Sequence, residues 1–423
     1  MKKELLLITL NLCAVIPAFA SEQADSKGFI ADSHLDLLLR NAYIDRDYRN
    51  GVQDKAEWGQ GAITKFHSGY TEGLIGFGVD GIAQYAVRLD GGRGRSGASG
   101  IDFFKQGSDG GRAKHDLAKF GATAKMRISN TVLSYGNQYP ILPILYADDS
   151  RLLLETYTGT MLTSKEITGL EINAGYFTDE QRKSDDRHNS GLKSLSFGGA
   201  SYQFSDRFSG SAYASDVKDV LKKQYLGMNY NQPFSNKQKL ILDFNGYNSR
   251  LDSDYARRLD TGRNNTIWSL AASYIWDVQT FELAYQHSSG STGYQYGGYR
   301  NADGTGDGGN TIWLSNSYWS DFNGEGERSW QASYGLDFSG VGVPGMSWTT
   351  AYVRGDNIKT AETRNGKEHE WFNQIQYQVQ NGPAKDLKLT LRYSILRVSS
   401  NASDYNVGGN EVRVYVDYPF SAF

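Results

Sequence analysis

The chain has 423 residues with 44 basic and 47 acidic side chains, a formal charge of −3 that gives no electrostatic footprint for nucleic acid. Its mean hydropathy of −0.53 excludes a bundle of membrane helices, each of which needs roughly 20 mostly apolar residues. The single Cys excludes a disulfide scaffold, and 13% aromatic residues argue against disorder, leaving a large, polar, β-dominated chain rich in Gly (48) and Tyr (28).

The first element is a leader. Lys2 and Lys3 precede an apolar stretch from Leu5 to Ile16, and Ala18-Phe19-Ala20 supplies small residues for cleavage before Ser21. Residues 1–20 are read as a secretory signal peptide, too short to span a membrane. Removing it takes Cys13 away, so the exported part, 21–423, has no cysteine and is read as one domain. A closed, fully hydrogen-bonded sheet can stabilise such a chain without disulfides.

Period two then runs to the C-terminus. Leu35, Leu37 and Leu39 alternate with His34, Asp36 and Arg40. The same holds for Ile75, Phe77 and Val79, for Phe120 to Ile128, for Trp330 to Phe338, for Leu387 to Ile395 and for Val412 to Tyr418. Strict alternation reads as half-buried strands. Seventeen such runs and a shorter one at 311–317 suggest eighteen strands, an even number as bacterial barrels have. The fold expected is an all-β, transmembrane antiparallel barrel. Charges inside strands (Arg40, Asp80, Lys125, Arg127, Arg392, Arg413) suit a wet lumen better than a dry core. Aromatics near strand ends, among them Trp268, Trp276, Trp348 and Tyr418, suit the membrane–water boundary. Turns are expected at Asn236-Lys237, Asp277-Val278 and Asn381-Gly382-Pro383. Pro140, Pro143, Pro233, Pro344 and Pro383 should fall between strands, where no ladder donor is lost. The last segment, ending in Phe423, resembles the signal by which outer-membrane barrels are recognised by their assembly machinery.

Loops are expected at 90–114, 138–166, 179–191, 248–264, 290–327 and 355–368. The segment 138–151 is too apolar for water, with Ile141, Leu142, Ile144 and Leu145 broken only by Pro143. Folded inward, it would make a constriction, with Gly76 and Gly78 leaving room for it. Asn301 to Gly309 looks calcium-like but occurs once, and reads as a flexible outer loop, as does Arg93-Gly-Arg95. The six histidines have no ligand spacing, and there is no Gly-x-Ser-x-Gly elbow. Neither enzyme activity nor a cofactor is expected. A barrel hydrolase and a purely structural barrel are the readings from other classes.

Several stretches match a family. Asp36-Leu-Leu-Leu-Arg-Asn41, Ala124-Lys-Met-Arg-Ile-Ser-Asn-Thr131, Asp149-Ser-Arg-Leu-Leu153, Tyr318-Trp-Ser-Asp-Phe-Asn323, Tyr352-Val-Arg-Gly-Asp-Asn-Ile358 and Asn410-Glu-Val-Arg413 stand in order along the chain. With them it resembles the OprD family of outer-membrane, substrate-specific porins. The resemblance implies an eighteen-stranded monomer or labile homotrimer, set among outer-membrane lipid and lipopolysaccharide. It also implies a lumenal row of basic residues that draws small carboxylate solutes through a constriction. Carried onto this chain, the row comprises Arg40, Arg127, Arg151, Arg392 and Arg413, with Lys125 and Lys388 in support. Parity independently puts all but Arg151 on polar faces. Asp148, Asp149 and Tyr146 sit beside the constriction; the acids would meet a cationic part of a substrate or pair with Arg151. Basic residues expected in the family near Thr390 and Ala351 are absent, which thins the row. Rows of basic side chains select anions, and a narrow passage focuses their field. The Pro-rich loop leans towards cyclic or aromatic acids; basic amino acids or peptides are the alternative within the family.

Overall fold

The computed structural model describes residues 21–90, 101–105, 113–188, 191–297 and 312–422. The expected signal peptide 1–20, Arg93-Gly-Arg95, the calcium-like stretch 301–309 and Phe423 lie outside the described residues. In chain order the strands are β1 (His34–Tyr48), β2 (Lys55–His67), β3 (Ile75–Asp90), β4 (Asp116–Ile128), β5 (Thr131–Gln138), β6 (Ile141–Leu142), β7 (Leu145–Tyr146), β8 (Thr156–Ser164), β9 (Leu170–Gln181) and β10 (Leu195–Ser205). There follow β11 (Phe208–Val217), β12 (Leu221–Ser235), β13 (Gln238–Leu251), the helix α1 (Ser253–Arg258), β14 (Asn264–Trp276), β15 (Gln279–Gly290), β16 (Arg328–Asp337), β17 (Met346–Ile358), β18 (Gly366–Gln378), β19 (Lys388–Val398) and β20 (Gly409–Ser421).

All but β6 and β7 form one 18-stranded antiparallel sheet. β1 pairs with β2 on one side and β20 on the other, with Arg40 opposite both Gly61 and Asp417, so the sheet closes and has no free edge. With an even strand number both termini lie at one end. The connections at that end include two-residue turns at 129–130, 206–207, 236–237 and 277–278. Asp277 takes a left-handed φ of 53°, which Asp tolerates in a tight turn. The long connections lie at the other end.

The alternation has the physical meaning expected of it. On β15, Phe281, Leu283 and Tyr285 are exposed outward, while Glu282, Ala284 and Gln286 face in. Outward Phe77, Phe120, Leu226, Leu270, Trp371 and Leu391 extend the apolar band around the barrel. Tyr334 and Trp348 pack edge-on with ring centres 5.9 Å apart near the turn end, and Trp330 and Tyr352 lie 5.6 Å apart near the loop end, as two aromatic girdles require.

Three details differ from the expectation. Residues 312–317 form no strand; they line the lumen as part of a loop. The eighteenth strand is β8, inside the expected loop 138–166. Its Thr-rich sequence forms strand readily, but Tyr157 and Met161 turn inward, so it lacks the apolar–polar signal. Pro233 lies within β12, opposite Lys239, next to an irregularity before Ser235. A proline fits there because pairing is ending at the turn.

Candidate functional site

The main hydrophobic cluster lies inside the barrel, not in its wall. Leu142, Ile144, Leu145 and Leu152 to Leu154 pack against Ala42, Ile44, Ile63 and Ala86 of β1–β3, and against Phe103 and Phe104 of the β3–β4 connection. The connection 139–155 therefore folds inward as expected, with the small β6–β7 hairpin within it. Ile141 alone of its apolar run stays exposed, at 56%. The room for it comes from Gly59 and Gly61, not from Gly76 and Gly78. A Cβ on Gly59 would sit 2.5 Å from Leu152, and one on Gly61 would sit 3.0 Å from the Leu152 carbonyl. Gly76 instead admits Gln23 of the N-terminal segment, and Gly78 admits Lys125.

Buried cations fasten this loop. Arg40 donates through Nη1 to the carbonyls of Asp149 and Arg151, both at 2.8 Å, while its Nε holds Asp417 at 2.8 Å. Lys119 donates to the carbonyls of Leu154 (2.7 Å) and Arg182 (2.6 Å). Lys183 meets Asp148 at 2.8 Å, both side chains being buried. Burial alone would raise the Asp148 carboxyl, but the Lys183 ammonium and then Arg151 outweigh it and hold it well below the usual carboxylate range. Arg151 donates through Nε to the Ile101 carbonyl at 2.6 Å. Tyr146 donates to Asp149 at 2.6 Å. On the far wall, the Tyr247 hydroxyl donates to the Pro143 carbonyl at 2.9 Å and accepts from the Trp313 amide at 3.1 Å. One phenol thus ties the constriction loop to the connection between β15 and β16. Lys223 holds that second loop through Tyr294 and the Tyr296 carbonyl, at 2.8 and 2.7 Å.

The structure brings part of the expected basic row together. Lys388, Arg392, Arg413 and Arg40 share the inner wall β19–β20–β1, with Arg392 opposite Arg413 and Lys388 opposite Asp417. Lys388 and Arg392 stand four residues apart, roughly 13 Å along the strand at about 3.3 Å per residue. Arg392 bonds Gln374. Arg413 is buried and grips Glu411 at 2.5 Å, with Arg46 on the same carboxylate at 2.6 Å. Lys125 and Arg127 lie apart from this row, on β4. Lys125 pairs with Asp80 at 2.6 Å, and Arg127 binds Gln23 at 3.0 Å beside Glu22. Asp148 pairs with Lys183 and not with Arg151, so Asp148 and Arg151 hold the loop's shape.

Lys65 is a lumenal cation that the sequence reading passed over. It lies over the Tyr139 ring at 4.4 Å and makes no ion pair among the described residues. Its signal was parity, since it shares a face with Gly59, Gly61 and Ile63. Lys119 and Lys223 were legible in the same way; Lys183 sat in a loop without period. The opposite wall is acidic. Glu171, Asp243 and Glu282 face in from β9, β13 and β15, and the first two line a hollow of about 560 Å³ with Asn229, Asn245 and Trp313.

The geometry is a wet barrel narrowed by two inward loops between a basic and an acidic wall. Residues 27–422 match the outer membrane porin, OprD family. The chain is 39% identical to Porin D of Pseudomonas aeruginosa, over 96% of this chain and 95% of that protein. The crystal structure of OccAB1 from Acinetobacter baumannii superposes with a TM-score of 0.89 at 36% identity, covering 95% of this chain and all of that one. OpdK of Pseudomonas aeruginosa, solved with vanillate, gives a TM-score of 0.79 at 31% identity, covering 93% of this chain and all of that one. A closed barrel of this strand number, an inward constriction and full-length likeness agree: the chain belongs to the OprD family of outer membrane porins.

Proposed function

We propose that this porin passes small carboxylate-bearing solutes by diffusion, handing them along Lys388, Arg392 and Lys65, while Arg40 between them holds the constriction loop, with the leader 1–20 removed on export. The observation that carries the reading is that Lys388 and Arg392 of β19 and Lys65 of β2 face the lumen from one run of adjoining strands, β19–β20–β1–β2, beside the inward loop. Arg offers a carboxylate two parallel donors, and several modest steps allow release where one deep site would trap. OpdK with vanillate, an aromatic carboxylate, supports a solute with a flat apolar ring. The exposed Ile141 gives such a ring an apolar contact at the constriction.

A second reading within the class is a basic amino acid, favoured by Glu171, Asp243 and Glu282 facing the basic row. Single-channel current across a planar bilayer, titrated separately with benzoate and arginine, separates the two. Saturable block by benzoate alone supports the first, and block by arginine supports the second. A channel blind to both refutes carboxylate selectivity. Lys65→Ala and Arg392→Ala should each weaken the block.

A further inference from the structure

The outward face of β10–β14 departs from the bulky apolar surface elsewhere. Cross-strand register places Gly198 beside Ala214, and Ala212 in the next row down, with Gly246 two strands further on. These small residues, with Leu226 standing between Ala212 and Gly246, floor a groove of about 760 Å³ that Trp268 bounds on one side and that Gln224, Asn248 and Thr266 also line. A Cβ on Gly198 would meet nothing within 4 Å, so the floor is open to the outside. The groove lies in the half of the barrel nearest the long loops. In barrels of this kind these loops are extracellular, so the groove faces the outer leaflet.

A second hollow, of about 580 Å³, sits on the same strands one step towards the loops. It is lined by Lys218, Lys222, Arg250 and Arg263. Its acids are engaged. Asp216 pairs with Lys222 at 3.0 Å and Asp219 with Lys193 at 2.6 Å. Asp252 caps α1, accepting from the Asp254 amide at 2.8 Å. Lys218 and Arg250 have no acidic partner among the described residues. Arg250 stands directly beside Lys222 in the register, which concentrates positive charge at the head of an apolar groove.

We infer that this face is a binding site for a phosphorylated, acylated lipid of the outer leaflet. An acyl chain fills the groove, and a phosphate rests on Arg250 and Lys218. Charge selects this occupant over a second copy of the chain: the groove needs a slender apolar filling, and the cations above it need an anion. The site faces away from the lumen, so it stands or falls independently of the channel's selectivity.

The test is native mass spectrometry of the detergent-purified protein with three probes: bisphosphorylated lipid A, the same lipid without its phosphates, and phosphatidylethanolamine. Lipid A should be retained and the other two should be shed readily. The pair Lys218→Ala and Arg250→Ala should weaken retention roughly twenty-fivefold, about fivefold for each cation lost from an anionic lipid surface. The pair Gly198→Leu and Gly246→Leu, which fills the groove, should also weaken it. Each variant is first checked for heat-modified migration and unchanged conductance, which show that the barrel has formed. Equal retention of the dephosphorylated lipid overturns the proposal, as does wild-type retention by the charge variant. So does a filled groove that changes the oligomeric state and leaves lipid binding intact, because the face would then be a contact between copies.

Discussion

The wall and the constriction loop of this porin are held by opposite means. Every barrel strand is hydrogen-bonded on both sides, and its apolar side chains point out towards lipid. The wall therefore needs no packed interior. The loop 139–155 is built like a piece of a soluble protein, with a dry apolar cluster and buried cations on its carbonyls and carboxylates. Low dielectric makes those contacts strong and makes their loss costly. Substitutions in the loop's anchors should thus change the pore, whereas substitutions in the wall should change the barrel.

The largest effect should come from Lys183→Met. It leaves the Asp148 carboxylate buried without its cation, and breaking a buried pair in this way costs about 3–5 kcal/mol. The loop should swing out of the lumen. Single-channel conductance should rise severalfold, and the loop should become open to protease, while heat-modified migration of the barrel stays unchanged. Wild-type conductance in this variant would show that the apolar cluster, with Arg40 and Lys119, holds the loop without the Lys183 pair.

The complementary change is Leu283→Arg, in the body of β15, where the side chain is 68% exposed to the outside. A cation facing the bilayer interior costs about 2–4 kcal/mol. Barrel unfolding in urea and lipid should shift to lower denaturant, while the conductance of the folded fraction is untouched. A changed conductance would mean that wall and loop are not mechanically separate.

The same contrast governs what the sequence could reveal. The wall is periodic, so alternation located most of its strands and put Arg40, Arg392 and Arg413 on the inner face. It failed at β8, where Thr blurs the contrast between faces, and at 312–317, where alternation belongs to a loop lying against the wall. The loop is not periodic. Its inward position was legible only from composition, as four apolar residues around Pro143 with no other place to go. Parity could put Lys119 on the inner face but could not show what fastens the loop, because Lys183, Lys119 and Tyr247 meet it from 35 to 104 residues away along the chain. A polar-face cation looks the same in sequence whether it meets solute or locks a carbonyl, so Arg151 and Arg413 were grouped with Lys388 and Arg392.

Acid should act on the loop before the wall. Against the effect of burial, Asp148, the loop's own carboxylate, is held low by Lys183; on the β9–β10 connection that carries Lys183, burial would raise the Asp185 carboxyl, but Lys105 and Arg187 lower it to about 2. Carboxyls with a lowered folded pKa stabilise above their ordinary range and lose that contribution as pH falls. The Lys183–Asp148 fastening should therefore begin to weaken as pH falls below about 4, with the contribution of Asp185 to the connection that carries Lys183 lost by about pH 2, given an ordinary aspartate near 3.9. Conductance should climb through that window at constant salt, with the strand signal in circular dichroism preserved. Simultaneous loss of both would tie the loop to the stability of the wall.

The smallest effect should come from Tyr247→Phe, which keeps the ring but removes the hydroxyl shared by the Pro143 carbonyl and the Trp313 amide. Losing the two bonds costs about 1–2 kcal/mol. That is too little to expel a loop still held by Arg40, Lys119 and Lys183, but enough to let its tip and the second loop move independently. The mean conductance should stay close to wild type, and open-channel noise should grow as the tip detaches and returns. If the noise is unchanged, the tip is positioned by the apolar cluster alone. If the mean conductance rises as far as in Lys183→Met, the tip contact is the principal anchor, and the loop depends on the far wall more than on the buried ion pair.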